Sequence, residues 1–380
     1  MQKLKIVCVV GARPNFVKMA PIMSELRSRP NIAPVLIHTG QHYSPEMSDS
    51  FFQDLDIPAP DLSLKVLGST HTQQIADIMR QTEPALASVD ADMAVVVGDV
   101  NSTLAAALTA VKMGLPLAHV EAGLRSFDRT MPEEINRIVT DTLSDYLFTS
   151  EPSGARNLLR EGVPEHKIFF VGNVMIDTLL KSRTKAAASN VLQQLGLEPR
   201  NYAVATLHRP SNVDEPAGLR NLVQVLEKIG ERLKVVFPLH PRTRSRIEAQ
   251  GLTCANVIFV PPLGYLDFLR LMDEGRLVLT DSGGIQEETT ILGVPCLTLR
   301  ENTERPITIE QGTNRLVGVQ PENIIRAAFE ALDRGLRSAE PPPLWDGHAS
   351  ARIADAIEAS ADALAAARAA RGAPPATPRR

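Results

Sequence analysis

At 380 residues the chain is longer than a single hydrophobic core usually grows, so two domains are expected. A hydrophobic fraction of 44% with 22% charged residues is ordinary for a globular protein. The net charge of −4 supplies no basic field, so nucleic acid is not the expected partner, and any anionic ligand must be captured by locally placed Arg, Lys and helix N-termini.

Met1-Gln2-Lys3 leads straight into a strand pattern, with no apolar h-region of a signal peptide. No apolar run reaches the ~20 residues that span a membrane, so a cytoplasmic protein with no membrane partner is expected. Cys8, Cys254 and Cys296 form no CxxC and no ligand-like cluster. Cys8 and Cys296 lie inside apolar runs and read as buried, inert thiols, which fits a reducing compartment.

In chain order, Ile6–Val10, Val35–Thr39, Met93–Val97, Leu117–Val120, Tyr146–Thr149 and Phe169–Val171 are short β-branched or aromatic runs bounded by turn residues, and read as strands. Helical patterns intervene. One is Asn101–Met113, opened by polar residues from which Asn101 or Ser102 is expected to cap it, and stopped by Gly114 and Pro116. A second series, Tyr202–Leu207, Lys234–Leu239, Val257–Val260, Leu277–Thr280 and Cys296–Leu299, repeats the rhythm without close sequence repetition. Such alternation predicts the α/β class with two Rossmann-like domains, residues 1–175 and 176–350. A C-terminal helix near 350–368 is expected to pack back on the first domain, followed by a disordered tail at 369–380.

Ligands of open parallel sheets sit beyond the carboxyl ends of the strands, which makes the residues after each strand the candidates. Gly11-Ala12-Arg13-Pro14-Asn15-Phe16-Val17-Lys18 turns from a strand into a helix with two cations, a pattern suited to phosphate, though it is neither GxGxxG nor a P-loop. Asp99 follows the apolar run Ala94–Val97 and is left over once Asn101 or Ser102 caps the helix. Glu121 follows the next strand. Pro132-Glu133-Glu134 then reads as a helical first turn where acids complement the dipole, with Glu133 and Arg137 spaced to pair at i, i+4.

In the second half, His208-Arg209 and His240-Pro241-Arg242 each follow a strand, where a histidine serves as proton carrier or phosphate donor. Ser282-Gly283-Gly284 makes a tight turn whose backbone can approach a diphosphate, and Glu288, one helical turn on, suits ribose hydroxyls. Arg305 follows the next strand. Tyr265 and Phe268 either pack against a flat base or belong to the core.

Taken together, Gly11–Pro14, Gly98–Thr103, His119–Arg125, Pro132–Arg137, Thr280–Glu288 and Thr303–Pro306 resemble the non-hydrolysing UDP-N-acetylglucosamine 2-epimerases of bacteria and archaea, in order and over residues 4–335. The resemblance implies a glycosyltransferase-B-like fold with the active site in an interdomain cleft, and a homodimer. It implies reversible conversion of UDP-GlcNAc to UDP-ManNAc through loss of UDP to a 2-acetamidoglucal and its re-addition, with no metal and no cofactor. Asp99, Glu121, Glu133 and His208 match the family's catalytic residues. Arg13, Lys18, Arg137, Phe268, Ser282, Gly283, Gly284, Glu288 and Arg305 match its substrate-binding positions.

The likeness is looser at Gly40-Gln41-His42-Tyr43, where bacterial members bind a second UDP-GlcNAc as activator. Gln41, His42, Glu134, Arg209 and His240 are the matching allosteric positions, but the segment 67–73 lacks an arginine that some members place nearby. A hydrolysing 2-epimerase releasing ManNAc and UDP, and a 2-epimerase of a UDP-2,3-diacetamido sugar, are the alternatives. A glycosyltransferase would share the fold but has no use for carboxylates at C2.

Overall fold

The computed structural model describes residues 3–41, 54–334 and 340–372, apart from the side chains of Arg13, Pro210, Ser211, Arg242 and Arg334. The chain divides into two compact units. Unit one runs to Thr178 and resumes at Leu344, and unit two is Leu179–Pro343.

Unit one is built on seven strands: β1 Leu4–Val10, β2 Ile32–His38, β3 Leu62–Ser63, β4 Met93–Val97, β5 Leu117–Val120, β6 Tyr146–Thr149 and β7 Ile168–Phe170. They are all parallel, in the order β3-β2-β1-β4-β5-β6-β7. Helices cover a parallel sheet on both faces, so its strands must be apolar without alternation. Every residue of β4 is buried, and so is every residue of β5, including His119. Cys8 in β1 is buried, and burial pushes its thiol up to about 12, as it does for Cys296 in unit two.

Unit two repeats the plan with β8 Ala203–Thr206, β9 Val235–Pro238, β10 Val257–Val260, β11 Leu277–Thr280, β12 Cys296–Thr298 and β13 Asn314–Leu316. The order is β10-β9-β8-β11-β12-β13, again parallel. Each sheet therefore reverses its winding once, between β1 and β4 and between β8 and β11. Those switch points, at the carboxyl ends, are where this architecture opens a crevice.

Two strands escape the sequence patterns. β3 has two residues and β13 reads Asn-Arg-Leu, so neither shows a run that periodicity can detect. β2 starts earlier than expected and passes through Pro34. β3 pairs only with Ile37 and His38, so β2 is an edge strand at Pro34, where a missing N–H is tolerated.

The returning segment closes unit one. Trp345 Nε1 donates to the Ser150 carbonyl at 2.9 Å, and Asp177 caps the helix Ala349–Ala359 by accepting from Ala349 N, Ser350 N and Ser350 Oγ. That helix packs on the helix Arg13–Ser28, where Arg29 pairs with Asp355 at 2.7 Å. A second helix, Ala361–Gly372, follows after a break at Ser360. It extends past the expected start of a disordered tail at 369, because Arg371 donates to the Ala91 and Gly114 carbonyls and Arg368 pairs with Asp92. Among the described residues, no helix is long and apolar enough to cross a membrane.

Gly172 has φ +87°, and a Cβ there would lie 2.0 Å from the Leu344 carbonyl oxygen. Gly172→Ala is expected to destabilise unit one by more than the ~1–2 kcal/mol of left-handed backbone alone. Urea unfolding measures this, and a loss under about 1 kcal/mol would show that the return segment yields freely.

Candidate active site

Unit one gathers its charged side chains around the β1–β4 switch point. After β1, Asn15 Oδ1 accepts from Gly11 N and Ala12 N, both at 3.2 Å, while its Nδ2 donates to Val97 O at the end of β4. This ties the two strand ends together. Gly11 is required by space, since a Cβ there would fall 1.9 Å from Ser102 Oγ. The helix Asn101–Lys112 is not capped by Asn101 or Ser102 as expected. Instead Gln41 Oε1 accepts from Ser102 N at 2.9 Å and from Ser102 Oγ at 2.6 Å, which frees Asn101 to bond Gln74 and His71.

Lys18, one turn further into the first helix, is buried with Nζ 2.5 Å from Glu121 Oε2, and Glu121 is equally buried. Glu121 has φ +70°, a strained left-handed backbone for a non-glycine residue, of a kind that persists where the surroundings fix it. Its N–H, with that of Ala122, donates to Phe148 O at 3.0 Å. Gly98 also has a positive φ, and a Cβ there would lie 3.2 Å from Lys18 Nζ, so the glycine keeps the ammonium's space open.

Asp99, next in line, forms a short ion pair with Arg137 from the helix Pro132–Leu143. Arg137 also binds Glu134 at 2.6 Å, which replaces the expected i, i+4 pairing with Glu133. Glu134 additionally accepts from Ser126 N, Ser126 Oγ and Phe127 N. Burial pushes the Glu134 carboxyl up, but these bonds and Arg137 outweigh it and hold the group below its ordinary value. Glu133 is half-buried in the same first turn.

Unit two centres on Asp281, which follows β11 and is wholly buried. It accepts from His208 N, Arg209 N at 2.9 Å and Asn212 Nδ2 at 2.9 Å, and lies 2.8 Å from His208 Nδ1. Burial works to raise its pKa, and the His208 contacts with the other donors bring it below the ordinary value. His208 itself is 65% exposed, so its ring is anchored at Nδ1 and open on the other side. Asp281 was not among the expected site residues. The signal that picks Asp99, an acid directly after an apolar strand, applies equally to Asp281.

Ser282 precedes the helix Gly283–Leu292, which starts with no side-chain cap, so its first N–H groups are available to an anion. A Cβ on Gly283 would lie 2.3 Å from Arg305 Nη1 and 2.8 Å from Glu304 Oε1, so the glycine is also needed for packing. Arg305 is buried there, 2.5 Å from Glu304 and 2.9 Å from Glu287. Glu288 is buried, with Tyr265 Oη donating to it at 3.0 Å. Burial pushes its carboxyl up to about 7, the Tyr265 bond opposes that, and Glu287 adds to it. Tyr265 is thereby a core residue, whereas Phe268 on the same helix is half-buried.

The positions matched to an activator site are dispersed in role. Gln41 is engaged by Ser102, Glu134 is buried under the 126–127 turn, and His42 lies outside the described residues. Arg209 and His240 stand at the ends of β8 and β9, with Arg209 Nε donating to Asp281 O. The Arg13 side chain, matched to the substrate, is likewise outside the description.

Two parallel sheets of this winding, each with charged groups at its switch point, define an α/β protein of the glycosyltransferase-B-like class. The family described as UDP-N-acetylglucosamine 2-epimerase matches residues 24–358. A UDP-N-acetylglucosamine 2-epimerase of Methanocaldococcus jannaschii is 42% identical over 341 residues, covering 87% of this chain and 93% of that protein. A Pseudomonas aeruginosa UDP-2,3-diacetamido-2,3-dideoxy-D-glucuronate 2-epimerase is 40% identical over 93% of this chain and 99% of its own. The crystal structure of the M. jannaschii UDP-GlcNAc 2-epimerase in complex with UDP-GlcNAc and UDP superposes with a TM-score of 0.87 at 41% identity, over 94% of this chain and 100% of that one. The chain belongs to the UDP-N-acetylglucosamine 2-epimerase family of isomerases.

Glu288 yields a stability prediction. A carboxyl raised in the folded state binds its proton where the unfolded chain has lost it, so stability falls as pH rises from the ordinary carboxylate range to about 7. Above that the deficit is constant. Glu288→Gln is therefore expected to raise Tm at pH 8, and to give no comparable gain below pH 4.5. An equal gain at both pH values would contradict the burial account.

Proposed function

We propose that this protein inverts C2 of UDP-GlcNAc to give UDP-ManNAc. The observation that carries the reading is the pair of carboxylates at adjacent strand ends, each facing its own buried cation: Glu121 with Lys18 and Asp99 with Arg137. A carboxylate can accept a proton, and two of them at separate strand ends suit a reaction that handles protons on two faces of one carbon.

In the forward direction a base takes the C2 proton, the C–H electron pair becomes the C1=C2 double bond, and the C1–O bond breaks with its electrons on UDP. In return, a UDP oxygen bonds C1 while the double-bond electrons take a proton at C2 on the opposite face. Negative charge grows on the departing diphosphate. The uncapped N–H groups at Gly283 and the exposed ring of His208 are the groups suited to meet it. Glu288 is the matching ribose acceptor, and Phe268 the matching uracil neighbour.

The Pseudomonas relative supports a second substrate, a UDP-2,3-diacetamido uronate, since its identity to this chain nearly equals that of the archaeal epimerase. Incubation with each UDP-sugar in D2O, followed by NMR, separates the readings. Deuterium at C2 with UDP-ManNAc formed is the expected result. Exchange only with the diacetamido sugar would reassign the substrate, free ManNAc with stoichiometric UDP would indicate hydrolysis, and no exchange with either would sink the epimerase reading. Asp99→Asn and Glu121→Gln are each expected to lower turnover by roughly 100-fold or more, with UDP affinity kept within several-fold. A variant that keeps most of its rate removes that residue from the catalytic set.

A further inference from the structure

His119 is the polar residue of β5, and its ring is wholly buried. Nε2 lies 2.9 Å from the Gly98 carbonyl oxygen and Nδ1 lies 2.6 Å from Asp141 Oδ1. A carbonyl oxygen only accepts. Asp141 also pairs with Arg125 at 2.7 Å and accepts from Gly123 N at 3.0 Å. Burial works to raise the Asp141 carboxyl, and His119 with Arg125 brings it below its ordinary value, so it too is an acceptor. Each ring nitrogen of His119 thus lies within hydrogen-bond distance of a buried oxygen, and the one at the Gly98 carbonyl must donate.

The second grip on the same turn comes from the helix Pro132–Leu143. Asn136 Nδ2 donates to the Asp99 carbonyl at 2.8 Å, one residue before Arg137, which holds the Asp99 carboxylate. Asp141 sits on that helix as well, so His119 links the turn after β4 to the helix that carries Asn136 and Arg137. The turn is thus held at two successive carbonyls by donors from a neighbouring strand and a neighbouring helix.

We propose that His119 and Asn136 are positioning residues that aim the Asp99 carboxylate through the Gly98 and Asp99 carbonyls, without touching the substrate. This rests on the epimerase reading for its functional consequence. A buried histidine that served only the fold would, on removal, lower stability and ligand affinity together. A positioning residue instead lowers the rate of the chemical step at nearly constant affinity, because misplacement of a reacting group by about 1 Å can cost roughly 100-fold.

The test has two arms. In 15N-histidine-labelled wild-type protein, the signals that vanish in His119→Asn are expected to include a ring N–H at Nε2, and a bare Nε2 would overturn the hydrogen bond to the Gly98 carbonyl. In the D2O assay, His119→Asn and Asn136→Ala are expected to lose about 10–100-fold in kcat with the UDP Kd within threefold. An unchanged kcat for Asn136→Ala, or a UDP affinity that falls as far as kcat, overturns the proposal. If His119→Asn fails to fold, Asn136→Ala decides. Wild-type protein that neither exchanges deuterium nor turns over would fail the epimerase reading instead, and the labelled ring would still report its own bonds.

Discussion

A parallel sheet covered on both faces admits almost no polar side chain along its strands, and this constraint organises the rest of the molecule. β4 and β11 are buried at every position, so charge can enter only where the strands stop. Asp99 and Asp281 stand at those stops, in units of the same winding. His119, inside β5, is one of the buried polar side chains within the strands, and each of its ring nitrogens lies beside a buried oxygen.

Charge brought to such places has to be matched, because an uncompensated buried ion is far more costly than a paired one. The carboxylates divide by how they are matched. Glu134 and Asp281 are saturated with backbone and side-chain donors, held below their ordinary values, and serve to fix turns. Glu121 lies 2.5 Å from the Lys18 ammonium, and Asp99 pairs with the Arg137 guanidinium and keeps some exposure. Glu288 has a tyrosine hydroxyl and a second acid for neighbours, and its carboxyl rises to about 7.

Much of this was legible in the amino-acid order. Strands such as Met93–Val97, Leu117–Val120 and Leu277–Thr280 are short, mostly apolar runs, and their ends coincide with the observed ones because Gly98-Asp99, Glu121 and Asp281 follow them. β3 and β13 were invisible because two or three residues of edge pairing need no pattern. Side-chain pairing was the harder part. Helical spacing offers Arg137 both Glu133 and Glu134, and only the 126–127 turn, which buries Glu134, settles the choice. The cap on the helix Asn101–Lys112 comes from Gln41, far away in sequence, which no local rule anticipates. Asp281 was missed although the rule that selects Asp99 selects it too.

The return of the chain to unit one at Leu344 bears on how the protein is made. The helix Ala349–Ala359 buries Ile353 and Ile357, and Trp345 reaches back to Ser150, so unit one is incomplete until these residues exist. A ribosome synthesises all of Leu179–Pro343 before it reaches them. Domains usually fold in the order of synthesis, N-terminal first. Here the unit begun first is the last to close, and during elongation its unsealed helix face around Arg13–Ser28 is the surface a chaperone would meet.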